Sequence, residues 1–459
     1  MPASSPNKSI VTSVRIGCGA GYAGDRWEPA LECVERGAID YLVYETLAER
    51  TIALGQLEKL RDPARGYNPM LEARLRLVLK PAMARGVRIV SNMGAANPLA
   101  AGEAVLRVAR ELGMGSLTVA VVLGDDVTEL VRGINVLLME DGEPLDTIKP
   151  MMVSANAYLG ADAVAAGLAS GANVVITGRV ADPSLFVGCM LDGLQWRDDD
   201  YTKLGQATVA GHLMECAGQI TGGYFADPGY KDVAGLARLG FPICEMRSDG
   251  AAFITKPEGS GGAVTLATCK EQLLYEVHDP SRYVTPDCVA DFTAVKFSQS
   301  ESEAACDVVF KGGQAAPRTG TYKVSVGYRA GYVGEGHMAY AGPGALDRAK
   351  LAGDIVRERL ALRKISLEEL RVDLIGHSSL HAEASHNDAA EPYEVRLRVS
   401  GRSQNKSDAA AVGEEVQTLY TNGPYGGASD FMQVKEVIGV RSILLDRSEV
   451  KTEVRVLSL

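Results

Sequence analysis

Three short stretches carry the residue types that can do chemistry. In GHLMECAG, His212, Glu215 and Cys216 supply a base, an acid and a thiol. If that stretch is helical they fall at i, i+3 and i+4 and share one face. In VITGRVADPSL, Thr177, Gly178, Arg179 and Asp182 follow a run of apolar residues. A guanidinium there can hold a carboxylate through a bidentate fork, and His212 with Glu215 can then supply acid–base chemistry. The bland alternatives stand beside these. A lone helix histidine is as readily a core residue bonded to a backbone carbonyl. Cys216 acts as a nucleophile only in an exposed, electropositive setting, and is otherwise a small core residue.

Gly19, Gly21 and Gly24 form G-x-G-x-x-G after the apolar run Val14 to Ile16, with Glu45 a further 21 positions on. That is the outline of a dinucleotide fingerprint. Two neighbours argue against NAD or FAD. Pro29 keeps Glu28 out of the helical region, so the helix starts near residue 28 and not at the third glycine, and Asp25 puts a negative charge where a pyrophosphate would lie. A glycine-shaped pocket faced by Asp25 and Arg26 is the expectation. Lys256 in TKPEGSGGAVT sits in a glycine-rich loop suited to a phosphate or carboxylate, or in a plain mobile loop.

These residues need a scaffold. From Val14 to Ile176 one phrase recurs: a helix stops near a glycine (Gly37, Gly86, Gly115, Gly171) and four to six apolar residues follow. The phrase predicts a parallel sheet with helices on both faces, a Rossmann-like α/β domain; a closed eight-stranded barrel shares the local pattern. Val153 to Ile176 reads as strand, helix, strand. Glu45, Asn92 to Asn97, Asp125 with Asp126, and Asn156 to Tyr158 all lie at strand ends, as turn and cap residues do, and as ligand-binding residues at the carboxyl edge of a sheet also do.

At 459 residues the chain predicts two or three domains. Beyond about residue 285 the pattern becomes period-two (Tyr322, Val324, Val326; Val395, Leu397, Val399), with one helix striped by Ala349, Ala352, Val356 and Leu360. The expected division is therefore an α/β domain over 12–285 and an α+β domain with antiparallel strands over 286–459. His381 and His386 fall in a polar loop and are poor metal candidates.

The composition is that of a globular protein, 46% apolar and 23% charged. No apolar run of about 18 residues is long enough for a membrane span, and the polar start MPASSPNKS lacks a secretory apolar core. Eight cysteines without paired spacing point to reduced thiols in the cytoplasm. A net charge of −11 with no basic cluster argues against nucleic acid as a partner.

ANAYLGA, VITGRVADPSL, GHLMECAGQITGG, GFPICEM, ITKPEGSGG, EQLLYEVHDPSRYVTPD, YAGPGAL and TNGPYGG occur in this order. Together they resemble the acyclic terpene utilisation (AtuA) family over about residues 12 to 446. The residues matching its motifs are Gly24, Asp25, Arg26, Asn156, Thr177, Gly178, Arg179, Asp182, His212, Glu215 and Cys216. Where relatives read NAGG or similar, this chain has Asn92-Met93-Gly94-Ala95. The resemblance implies breakdown of terpenoid and other branched acids, often as acyl-CoA intermediates. The expectation is a homo-oligomeric catabolic enzyme of lyase or hydratase type, with an acyl hydrolase or a non-catalytic substrate-binding subunit as alternatives. Its partner is a small carboxylic acid or CoA ester. His212, Glu215, Cys216 and Asp182 are the catalytic candidates. Arg179, Thr177, Gly178, Asn156, Gly24, Asp25, Arg26, Glu45, Asn92 and Lys256 are the substrate-binding candidates.

Overall fold

The computed structural model describes residues 11–299, 307–385 and 391–459. His386, one of the two loop histidines, lies outside them. The chain forms two compact units, Met1–Gly327 with Val440–Leu459, and Tyr328–Gly439.

The first unit is built on a ten-stranded mixed sheet. Its centre is five parallel strands in the order Ser13–Ala20, Tyr41–Tyr44, Arg88–Ser91, Val174–Thr177, Thr118–Leu123. Tyr41–Tyr44 and Val174–Thr177 are buried at every residue, as strands covered on both faces must be. The helices Glu28–Arg36, Leu71–Ala84 and Pro98–Glu111 pack side by side, and Ala161–Ala169, Asp182–Leu194 and Tyr201–Glu215 form a second packed group.

The sheet is mixed where a Rossmann-like parallel sheet was expected. Antiparallel strands cap both edges of the parallel centre: Ile243–Arg247 pairs with Ser13–Ala20, and Glu453–Ser458 with Thr118–Leu123. The first three parallel strands step in one direction, so the order does not reverse beside the first strand as it does in the dinucleotide fold. The expected crossover between residues 153 and 176 is also revised. Met152–Ala157 is a strand, but the partners of Val174–Thr177 are Arg88–Ser91 and Thr118–Leu123. Apolar runs announce that a strand exists and are silent about which strand it pairs with.

Residue 285 falls inside the first unit and does not divide the chain. Cys288–Asp291 pairs with Tyr283–Val284 and Gln314–Pro317 in a small antiparallel sheet that packs on the helix Tyr201–Glu215. Asp287 fastens it further, accepting from the Ala161 N–H (2.6 Å) and the Ser184 hydroxyl (2.5 Å). The change to period-two strands is real, but antiparallel strands also border the first unit, so the pattern marks strand type and not a domain edge. In the second unit Glu394–Ser403 pairs antiparallel with Glu369–Ile375 and with residues 332–341. Val395, Leu397 and Val399 face Val356, Leu360, Val412 and Val416 of two helices, Ala345–Leu362 and Lys406–Asn422, as the alternation predicts.

Candidate functional site

A cleft of about 540 Å³ opens beyond the carboxyl ends of the strands Ser13–Ala20 and Tyr41–Tyr44, within the size range of small-ligand sites. Its walls carry five carboxylates, Asp25, Glu45, Asp182, Glu215 and Glu276, and an aromatic and aliphatic side of Tyr22, Leu239, Phe241 and Tyr275.

Glu45 ends the second parallel strand and is almost fully buried. Its Oε1 accepts from the Leu47 N–H (2.8 Å) and from Asn92 Nδ2 (3.0 Å), while Asn92 Oδ1 accepts from the Thr46 N–H (2.8 Å). Asn92 thus acts behind Glu45 and fixes its direction. Burial, helped by the charge of Asp182, pushes the Glu45 carboxyl up to about 8.

Glu215 closes the helix Tyr201–Glu215, which is buried on all sides from Leu204 onward. Its Oε1 lies 2.9 Å from His212 Nδ1, and its Oε2 is buried with no partner. Burial pushes this carboxyl up to about 7, against the pull of His212. Asp182, the first residue of the helix Asp182–Leu194, is 37% exposed where it meets the cleft and is also raised, mainly by burial. Glu276 follows the end of the helix Leu266–Leu274 with a left-handed backbone, φ 58°.

His212 itself does not line the cleft. It is 1% exposed, packed at a tilt against Tyr283 and Phe292 (ring centroids 5.2 and 5.5 Å), with Nε2 3.2 Å from the Leu273 carbonyl. A carbonyl can only accept, so Nε2 carries a proton and Nδ1 meets Glu215 across a single shared proton. The expectation of a cleft-facing histidine is corrected: a helix buried all round turns no histidine face to solvent, and His212 positions Glu215.

Arg179 is likewise not an open anchor. It is 2% exposed, pairs with Asp182 Oδ1 at 2.7 Å, donates to the Leu47 carbonyl, and lies 4.0 Å above the Tyr158 ring. Its charge is committed to balancing Asp182, Glu45 and Glu49 from behind the cleft wall. The carboxylate-anchoring role is therefore corrected to one of charge balance. Thr177 and Gly178 are buried beside it. Gly178 packs so closely on Asp125 that a Cβ has no room, and Asp125 Oδ2 accepts from the Arg179 N–H and Asn156 Nδ2, both 2.9 Å. Asp125, Asn156, Thr177 and Gly178 thus form a bracket that sets the Arg179 backbone, outside the cleft lining.

Cys216 does line the cleft, but burial and the neighbouring Glu215 push its thiol far up and keep it protonated; the nucleophile candidate is corrected to a wall residue. Lys256 donates to the Ser260 carbonyl at 2.7 Å and ties its own loop, away from the cleft. Asp25 and Arg26 do line it, Asp25 accepting from the Gly21 N–H (2.9 Å) and Arg26 donating to the Leu236 carbonyl (2.7 Å). The fingerprint glycines serve packing. A Cβ at Gly19 would meet the Tyr44 ring at 2.6 Å, one at Gly21 the Cys216 backbone at 2.5 Å, and one at Gly24 the Tyr22 ring at 2.9 Å. The following helix begins at Glu28, where Pro29 predicts.

The sequence reading missed Glu276 and the aromatic wall. The helix before it ends at Leu274, and only the left-handed turn after Tyr275, which no local motif announces, brings the Glu276 carboxylate to the cleft. Among the described residues no group of three or more His, Cys, Asp or Glu is arranged to hold a metal ion, and no helix is long and apolar enough to cross a membrane.

No curated protein and no solved structure matches this chain. The family model described as acyclic terpene utilisation family protein AtuA matches residues 14–456, nearly the whole sequence. On that match the chain belongs to the acyclic terpene utilisation (AtuA) family.

Proposed function

We propose that this cleft is an acid–base catalytic site, and that the protein is a cytoplasmic catabolic enzyme acting on a CoA-linked branched acyl group with lyase or hydratase chemistry. Family membership supports a role in acyclic terpene utilisation. The observation that carries the acid–base reading is the pair Glu45 and Glu215, two buried carboxyls on one cleft whose proton affinities are raised to about 8 and about 7. Groups with pKa values near the working pH both give and take protons efficiently, and a raised, buried carboxyl is the usual form of a protein acid at neutral pH.

In this reading one of the two takes the proton from the carbon beside the acyl carbonyl. The other donates to the departing hydroxyl oxygen, which leaves as water; in the reverse direction it takes a proton from the arriving water while the first returns one to the carbon. His212 fixes Glu215 through Nδ1 and exchanges the shared proton with it; Asn92 fixes Glu45.

The charge of the cleft selects the substrate form. Arg179 is committed to Asp182 and the cleft is lined mainly by carboxyl groups, so the neutral carbonyl of a thioester is favoured over the acid that an anchoring Arg179 would have held. Tyr22, Leu239 and Phe241 offer an apolar side to a branched aliphatic chain. A protonated Cys216 thiol favours direct proton transfer over an acyl-enzyme.

The deciding experiment assays the purified protein alone on branched acids and their CoA thioesters, with and without divalent metal. Turnover of thioesters in preference to acids, abolished in Glu45→Gln and Glu215→Gln, is the expected result; no turnover on any member leaves a non-catalytic binding subunit as the reading.

A further inference from the structure

We infer that the acidic cleft is one end of a longer groove, and that the cavity beyond the Tyr224–Tyr275 pair takes the amide-bearing, phosphate-ended arm of a thioester carrier. This deepens the proposed function and rests on it for the acyl end of the ligand.

The second cavity, about 560 Å³, adjoins the first, and the two share Gln219, Gly223, Tyr224 and Tyr275 as walls. The divider is thin. The Tyr224 and Tyr275 rings meet edge to face, centroids 6.1 Å apart. Tyr224 is 86% exposed and holds a left-handed backbone, φ 59°, as does Glu276 beside Tyr275, φ 58°. Non-glycine residues enter this region at a cost, and such outliers gather at ligand sites. Here two of them flank a single partition.

An unsatisfied acceptor points to what lies beyond it. Gln272 lines the second cavity and is only 3% exposed. Its Nε2 donates to the His212 carbonyl at 3.3 Å, which fixes the orientation of the amide, and leaves Oε1 buried with no partner. A buried acceptor of this kind calls for a donor, and a ligand amide N–H supplies one. On the other side of the partition Glu215 Oε2 is also buried and unpartnered.

Charge then sets the order of the ligand's parts. The first cavity carries Asp25, Glu45, Asp182, Glu215 and Glu276, with Arg26 turned to the Leu236 carbonyl; the second carries Lys231, Lys270 and Glu271. Lys231 pairs with Glu271 at 2.7 Å and lies 4.9 Å over the Phe225 ring, so Lys270 is the cation left to meet a ligand anion. A molecule that fits has a neutral reacting end, an N–H donor in the middle and an anion at its far end. A phosphorylated pantetheine arm has these features in this order.

Equilibrium binding of pantetheine, 4′-phosphopantetheine and coenzyme A to the full chain, measured by calorimetry, tests this. We expect 4′-phosphopantetheine to bind at least about tenfold tighter than pantetheine, the gain of one charge-assisted contact. The exposed substitution Lys270→Glu should remove that difference and leave pantetheine unchanged, and Gln272→Met should weaken all three. Coenzyme A binding as tightly as 4′-phosphopantetheine identifies a free coenzyme thioester; its exclusion while 4′-phosphopantetheine binds identifies an arm carried on a protein. Equal affinity for the phosphorylated and unphosphorylated arms, or no binding of either, overturns the inference. Turnover of the short N-acetylcysteamine ester of 3-methylbutanoic acid reports separately on the acid–base reading. Turnover without phosphopantetheine binding rejects the groove alone, and binding without turnover of any thioester rejects the reaction alone.

Discussion

His212 Nδ1 and Glu215 Oε1 lie 2.9 Å apart, three residues apart on one helix, with the histidine sealed in the core and the glutamate at the cleft wall. The pair divides its labour by burial. Glu215 can meet a ligand; His212 holds it in place and shares its proton.

Replacing the two cleft carboxyls should therefore separate chemistry from folding. Glu215→Gln and Glu45→Gln are each expected to lower turnover by about 10²- to 10⁴-fold, the span of a lost acid or base, with far-ultraviolet circular dichroism unchanged. Cys216→Ser should keep turnover within about threefold, because a protonated thiol contributes a wall and no bond. A Cys216→Ser enzyme as impaired as Glu215→Gln would restore the nucleophile.

His212→Ala should behave as a core mutation. The ring fills space against Tyr283 and Phe292 and satisfies the Leu273 carbonyl, so urea unfolding should show a loss of about 2–4 kcal/mol. His212→Gln, which keeps a donor, should recover part of that stability while the pH profile of turnover remains shifted. An unshifted profile would reduce His212 to packing alone.

Arg179→Lys should cost stability before it costs substrate binding. An ammonium cannot reach Asp182 and the Leu47 carbonyl together while lying over Tyr158. A loss of about 1–3 kcal/mol on unfolding is expected, with KM for a neutral thioester changed little. A large rise in KM with unchanged stability would return Arg179 to the role of substrate anchor.

Stability should fall as pH rises through neutrality. Glu45 and Glu215 bind protons more tightly folded than unfolded, at about 8 and about 7 against an ordinary 4.5. Between about pH 4.5 and 8 the native state therefore holds more protons than the unfolded chain, and the stability these groups contribute is complete below 4.5 and lost on the way to 8. Asp182, Asp25 and Glu276 face the same space, with Arg179 opposing them. The melting temperature measured from pH 5 to 9 should decline, and Glu45→Gln should flatten the decline. A flat wild-type profile would show that the two carboxyls titrate normally.

Much of this protein was written in local sequence. Pro29 set the start of the first helix at Glu28, the apolar runs after Gly37, Gly86, Gly115 and Gly171 became buried strands, and Val395, Leu397 and Val399 alternated onto two helices. The eight motif segments identified the family that the match over residues 14–456 established. These are features of neighbouring residues, whose spacing and backbone limits act within one or two turns of chain. Tertiary structure decided the rest. Whether Arg179, His212 and Cys216 meet a ligand or the core depends on what packs over them from residues far away in the sequence: Leu47 and Tyr158, Leu273 and Tyr283, Glu45 and Gln272. The same holds for Glu276, which reached the cleft through one left-handed turn, and for the antiparallel strand Ile243–Arg247, which closed the edge where a dinucleotide fold reverses. Burial sets proton affinity, and burial is a property of the whole fold.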